Sequence, residues 1–162
     1  MLTYKRLHLI CHKNPEGRGY IGLNLTQHPN FNHAYVSGKW VLDTVTAQDL
    51  LGGLIFLHEA KTQTSYLGGL IYEWENTADL SKPLENRISF KFLAVADGRY
   101  VRWGGKKHVM AWQSGVVSAE EPIIVDKPPQ HRHVGTGLRK LADIPEDFVL
   151  SLQAKALLSS SE

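Results

Sequence analysis

The sequence has a single cysteine among its 162 residues, no long apolar run and no large excess of either charge. One thiol, Cys11, excludes an internal disulfide framework and a cysteine-rich zinc ribbon. No window approaches the roughly 18 uninterrupted apolar residues of a membrane helix, so we expect a soluble chain without a membrane partner. The lone thiol favours a reducing, cytoplasmic location. A net charge of +2 excludes a histone-like polycation and an acidic tail.

The chain contains 43% hydrophobic and 21% charged residues, which is enough apolar material for a folded core. Its length predicts one domain over residues 1–162. Apolar runs of strand length recur between Gly, Asn, Pro and Asp. Residues 13–33 are rich in Gly and Pro and predict a long irregular segment, of the kind that is often functional. The predicted strands are residues 7–11, 54–57, 67–74, 87–95, 100–103, 109–112 and 123–125, with a hairpin turn at Asp97-Gly98.

Helical signals are confined to two places. Residues 46–51 predict a single turn capped by Thr44 or Thr46 and ended by Gly52-Gly53. Pro145 suits a first helical turn, and acidic residues follow it near the positive end of the helix dipole, so a C-terminal helix is predicted over about 145–158. The expected fold is mainly β (α+β): a small β-barrel or curled sheet with short helices and a C-terminal helix.

The charge is unevenly distributed along the chain. From Arg99 to Lys140 there are eight Lys or Arg residues and three acidic ones, a local charge of +5, and the remainder carries −3. Trp103 and Trp112 are interleaved with this basic segment. Cations beside flat rings are typical of a nucleic-acid surface, where charge meets phosphate and rings stack on bases. The alternative is a solvated basic face over two core tryptophans.

The basic segment also contains His131 and His133, which have the alternate spacing of two metal ligands on a strand. Prolines before them and glycines after them predict a loop instead, so no metal site and no cofactor is expected. A phosphate contact through Arg132, Arg139 and Lys140 suits this loop better.

Polar residues follow directly on the buried strand 54–57. Glu59, Lys61 and Thr62 could form a nucleophile and base set at this strand end, or simply a polar connection. Several aromatic residues could surround a base or fill the core of a small β domain. They are Trp40, Tyr66, Tyr72, Trp74 and Trp103.

The order of motifs through the middle of the chain points to a family. Gly38-Lys39-Trp40, a short helix, Leu51–His58 and Ser65–Tyr72 precede the predicted hairpin. This order resembles the PUA-like superfamily over about residues 38–125, and its EVE, ASCH and YTH-type domains are the most similar. The resemblance implies a non-enzymatic module that binds RNA or DNA and flips a modified base into an aromatic pocket.

The resemblance also implies site residues. The base pocket would consist of Trp40, His58, Lys61, Ser65, Tyr66, Leu67 and Trp103. The phosphate contacts would come from Arg99, Arg102, Lys106, Lys107 and Arg132, joined by Arg139 and Lys140 of the basic loop. The sequence departs from the EVE and YTH-type pattern because its first strand lacks their tryptophan.

Two alternatives stay open. Some ASCH-type domains resemble small amidohydrolases that act on an acylated, cytidine-like nucleoside, and Lys61, Thr62 and Glu59 would then be catalytic. A partner protein or a second copy of the chain could instead dock on the C-terminal helix.

Overall fold

Seven strands form one mixed sheet in the computed structural model, which describes residues 2–77, 87–104, 123–126 and 137–158 and the backbone of 116–117. The strands are β1 (Arg6–Ile10), β2 (Leu23–Thr26), β3 (Ala34–Val41), β4 (Leu54–His58), β5 (Leu67–Asn76), β6 (Arg87–Ala94) and β7 (Val116–Val117). They are ordered β2-β3-β6-β5-β4-β1-β7. The β1–β4 pair is parallel and the other pairs are antiparallel. The helices are α1 (Thr44–Asp49) and α2 (Glu146–Leu158), with 3-10 turns at Ala96–Gly98 and Leu141–Asp143.

The predicted mainly β architecture with short helices and a C-terminal helix is confirmed. Within the described residues the sheet is open, with β2 and β7 at its two edges, so of the two predicted forms it is the sheet and not the barrel. Neither helix of the described chain combines the length and the apolar character that a bilayer crossing needs.

Three predictions about individual elements were wrong. The segment 13–33 is not irregular throughout, because Leu23–Thr26 pairs antiparallel with β3. The strand β3 itself was missed, since its register shifts between Ser37 and Trp40 and interrupts the apolar alternation. Asp97-Gly98 forms a 3-10 turn instead of a hairpin, and the residues after it make only an isolated bridge between Val101 and Val125. The predicted strand 109–112 lies outside the described residues.

Both faces of the central strands are buried. One face packs against Ala47 and Leu50 around α1. The other face packs against Val149 and Leu152 of α2. A strand covered on both sides has no solvent-facing positions, which explains why Leu54–Leu57 of β4 is an uninterrupted apolar run before His58.

The helix ends show which signals were correct. The cap of α1 is Asp43, not Thr44 or Thr46, because its carboxylate accepts the Thr46 N–H at 2.7 Å. Gly52, with φ +77°, then turns the chain after α1. The α2 helix was predicted correctly. It leaves three leucines exposed (Leu150, Leu157 and Leu158), and docking of a partner there stays a prediction.

Candidate functional site

The parallel pairing of β1 with β4 brings two histidines together on one face of the sheet. His8 is opposite Phe56 in the register, and His58 lies two residues further along the same strand. The His8 and Phe56 rings stack with centroids 4.9 Å apart. Nδ1 of His8 lies 2.8 Å from Nε2 of His58. Both side chains are almost completely buried.

The hydrogen bonds of this pair fix its proton positions. Nδ1 of His58 lies 2.8 Å from the Gln63 carbonyl oxygen, which can only accept, so this nitrogen carries a proton. Nε2 of the neutral ring must then accept, and Nδ1–H of His8 is its donor. Burial, followed by the charges of His58 and Arg6, lowers the pKa of His8 to about 3. Burial also lowers the pKa of His58, although the Gln63 bond acts in the opposite direction.

Trp103 packs against this histidine pair. Its ring centroid lies 5.1 Å from that of His58 and 5.6 Å from that of His8. The Lys61 ammonium nitrogen lies 5.6 Å from the Trp103 ring centroid, within the range of a cation–π contact. The structure therefore brings together three of the predicted pocket residues, and adds His8, which the sequence analysis missed.

A cleft of about 560 Å³ opens beside the cluster of His8, His58 and Trp103. We call it the tyrosine cleft. Its lining residues are Lys13, Tyr20, Glu59, Gln63, Thr64, Ser65, Tyr66, Arg99 and Tyr100.

The floor of the tyrosine cleft is two parallel tyrosine rings. Tyr20 and Tyr66 stack with centroids 3.9 Å apart and an interplanar angle of 11°. The Tyr66 hydroxyl donates to the Cys11 carbonyl at 3.0 Å, and burial raises the pKa of Tyr66. Tyr20 reaches this position because the chain folds back after Cys11, with an isolated bridge between Lys13 and Tyr20. Tyr66 was predicted as a pocket residue, but Lys13 and Tyr20 were not, although segment 13–33 was predicted to be functional.

Ser65 holds the two walls of the cleft together. Its hydroxyl donates to the Gly98 carbonyl at 2.6 Å and accepts the Val101 N–H at 3.1 Å. Its own N–H and carbonyl also bond to the backbone of Val101 and Tyr100. Gly98 must be glycine, because a Cβ there would collide with the carbonyl oxygen of Gly68. Ser65 lines the cleft, but its hydroxyl is fully used in positioning the neighbouring Arg99.

Tyr100 has an unusual backbone at this wall. Its φ of 64° lies in the left-handed region, which is unfavourable for a residue with a side chain. Its N–H donates to the Ser65 carbonyl at 2.9 Å, and its carbonyl accepts from Asp126 at 2.8 Å. Strained conformations persist where the surrounding bonds fix them, and they concentrate at functional sites.

Two polar atoms on residues that line this cleft have no hydrogen-bond partner among the described residues. They are Oε1 of Glu59 and Nε of Arg99, and both are buried. Lys13 Nζ forms an ion pair with this Glu59 oxygen at 3.4 Å. After burial, the charge of Glu59 and a hydrogen bond with its carboxylate raise the pKa of Tyr20. An unpaired buried polar group costs about 1–3 kcal/mol, so a ligand that paired both atoms would recover free energy.

Other predicted pocket residues lie elsewhere. Trp40 is on β3, where its indole N–H donates to the Ser37 hydroxyl at 3.2 Å, and it does not line the cleft. Leu67 is a buried core residue. Of the alternative catalytic set, only Glu59 lines the cleft, since Lys61 lies over Trp103 and Thr62 is exposed.

The predicted phosphate contacts differ in their surroundings. Arg99 lines the cleft, and Lys140 is exposed. Arg102 is exposed but paired with Asp126, 2.7 Å from Nε to Oδ1. Arg139 binds the carbonyls of Ala94 and Asn32 and lies over the Phe31 ring, and burial lowers its pKa. Its guanidinium therefore fastens a loop to the sheet. Lys106, Lys107, Arg132 and the pair His131 and His133 lie outside the described residues.

In the part of the chain that the structure describes, no three His, Cys, Asp or Glu side chains converge to hold a metal ion. No known protein family, no curated protein and no solved structure matches the chain. The resemblance to the PUA-like superfamily stays a prediction.

Proposed function

We propose that the chain is a non-enzymatic, cytoplasmic nucleic-acid-binding module of PUA-like character that takes an unstacked, often modified base into the tyrosine cleft. One observation carries this proposal: the stacked Tyr20–Tyr66 pair lies in an open cleft beside Lys13 and Arg99. Aromatic rings next to cations are the combination that single-stranded nucleic acid requires.

The size and the charge of the site support this proposal. A volume of about 560 Å³ falls within the range of pockets that hold drug-sized ligands, and a nucleoside is of that class. Arg99 lies at the start of the segment with a local charge of +5, in which the further phosphate contacts are proposed. The small net charge of +2 favours a reader that depends on one pocket over a protein that coats nucleic acid by charge alone.

Salt-dependent binding tests the proposal. Fluorescence anisotropy of labelled single-stranded RNA and DNA should give a log affinity that falls linearly with log salt concentration, by about 0.7 per phosphate contact. Arg99→Gln, or the double change Lys106→Ala and Lys107→Ala, should reduce this slope. The matched control is Lys155→Gln on α2, which should leave it unchanged. If no modified or unmodified oligonucleotide is bound in a salt-dependent manner, the proposal is wrong.

The amidohydrolase alternative is less well supported, because Lys61 and Thr62 do not line the cleft with Glu59. Turnover of an N4-acylated cytidine decides the question. Release of the acyl group that is abolished by Lys61→Ala would establish the hydrolase, and no release at micromolar enzyme would retire it.

A further inference from the structure

We infer that the tyrosine cleft selects guanine, reading its Watson–Crick edge with the Glu59 carboxylate and the Arg99 guanidinium. This inference rests on the proposed function and adds the class of base. It starts from two buried polar atoms that have no hydrogen-bond partner in the described part of the chain, Oε1 of Glu59 and Nε of Arg99.

Glu59 is placed where a base edge would lie. It lines the same cleft as Tyr20 and Tyr66, and after burial its carboxylate is the largest cause of the raised pKa of Tyr20. The carboxylate is therefore close to the ring on which a base would stack. Lys13, its loose ion partner, has a side chain that is 71% exposed, so it can turn to a phosphate when a ligand occupies the carboxylate.

The chemistry of a carboxylate distinguishes the four bases. An ionised carboxylate has only acceptor atoms, and its two oxygens suit two parallel donors. Guanine presents such a pair in N1–H and the neighbouring amino group. Adenine and cytosine each place a ring-nitrogen lone pair beside the amino group, and uracil flanks its one N–H with two carbonyls. In those three bases a lone pair would face a carboxylate oxygen.

Arg99 adds to the same preference. A guanidinium has only donors, and the Nε–H of Arg99 has no acceptor among the residues that the structure describes. Guanine places the O6 carbonyl directly beside N1–H, so one edge would satisfy both protein groups. Adenine has an amino group at the corresponding position, which would put two donors against each other.

Both reading groups are attached to fixed backbone. Glu59 follows His58, which is buried and bonded to both His8 and the Gln63 carbonyl. Arg99 lies between Gly98 and Tyr100, and both of these neighbours are bonded to Ser65. A site held this way loses little conformational freedom on binding, which favours discrimination between similar ligands.

The test uses the full chain and labelled 12-nucleotide strands that differ only in one central base: guanine, adenine, cytosine, uracil or hypoxanthine. The guanine strand should bind about tenfold more tightly than the adenine strand, the order expected of one bidentate contact. Hypoxanthine lacks the amino group and should be intermediate. Glu59→Gln keeps the side-chain size but replaces one acceptor with a donor, so the guanine preference should fall below about twofold.

The control variant is Glu73→Gln, which removes an exposed carboxylate that pairs with Lys91 away from the cleft. It should keep the guanine preference. Failure of the proposed function and failure of the inference give different results. If no strand binds, the proposed function is wrong. If strands bind without preference for guanine, or if Glu59→Gln retains the preference, the function stands and the inference is overturned.

Discussion

The tyrosine cleft and the junction of the two helices use polar side chains in opposite ways. At the helix junction, the Gln153 amide donates to the carbonyls of Thr3 and Gly52, at 2.9 Å and 3.1 Å. The Gln48 amide donates to the Lys155 carbonyl at 2.8 Å, and its oxygen accepts the Trp74 indole N–H at the same distance. In the cleft, by contrast, Glu59 and Arg99 each present a buried atom that has no hydrogen-bond partner among the described residues.

The helix junction therefore contributes to the stability of the fold, and the cleft is available for binding. Hydrogen bonds at the junction join segments that are distant in the sequence, and their loss destabilises the fold. Buried atoms without a hydrogen bond in the cleft lower the stability of the ligand-free fold, and a ligand that bonded them would recover that free energy. Changes at the junction should therefore alter the unfolding free energy, and changes in the cleft should alter affinity.

Acid should produce the largest change in the unfolding free energy, and this change should come from the buried pair His8 and His58. The pKa of His8 is about 3 in the fold and ~6.5 in the unfolded chain, so the unfolded state binds protons more readily as the pH falls. Stability is complete above pH ~6.5 and should fall by about 1.4 kcal/mol per pH unit for this group between there and pH 3. Urea unfolding at a series of pH values measures this.

Two variants sharpen the acid test. Changing His8→Leu together with His58→Leu removes both titrating groups and should flatten the pH profile. His12→Gln alters an exposed histidine and should leave the profile as it is in the wild type. An unchanged slope in the double variant would contradict the assignment of acid sensitivity to the buried pair.

Removal of one of the two stacked tyrosine rings should have the next largest effect, a loss of oligonucleotide affinity. Tyr66→Ala removes the partner of Tyr20 and should weaken oligonucleotide binding at least fivefold, because stacking of one base contributes about 1–3 kcal/mol. Tyr66→Phe keeps the ring and loses only the hydrogen bond to Cys11, so its affinity should stay within about twofold of the wild type. Anisotropy titration distinguishes them, and equal losses in both variants would show that the ring is not the contact.

A substitution at the helix junction should have the smallest effect, a modest fall in the unfolding free energy. Gln153→Ala removes two hydrogen bonds to backbone carbonyls and should lower the unfolding free energy by about 1–2 kcal/mol. For a chain of this size that corresponds to a fall in Tm of about 2–8 °C. Its oligonucleotide affinity, measured well below Tm, should equal that of the wild type. A loss of affinity would mean that the junction and the cleft are not independent.

The elements that could be predicted from the sequence have local signals. Leu54–Leu57 of β4 is uniformly apolar because both faces of the strand are covered, and Pro145 with its acidic neighbours marks the start of α2. The cap of α1 was predicted at Thr44 or Thr46, but it is Asp43. The strand β2 was missed because four residues signal little without their partner β3.

The site was only partly predictable, because its remaining contacts depend on long-range pairing. Tyr66 and Arg99 were identified, and the Ser65 bonds bring them together. Tyr20 lies 46 positions from Tyr66 and reaches it only when the chain folds back after β1. Trp40 looked equivalent to the other aromatics, but β6 and β5 separate its strand from β4.

The most direct test of the central claim is a crystal structure of the chain with whichever oligonucleotide binds it most tightly. The account predicts one base out of its stack, lying against the Tyr20–Tyr66 pair, with its edge toward Glu59 and Arg99 and its phosphates toward the basic segment. A base bound anywhere else, against Trp40 or along α2 for example, with the tyrosine cleft empty, would contradict it.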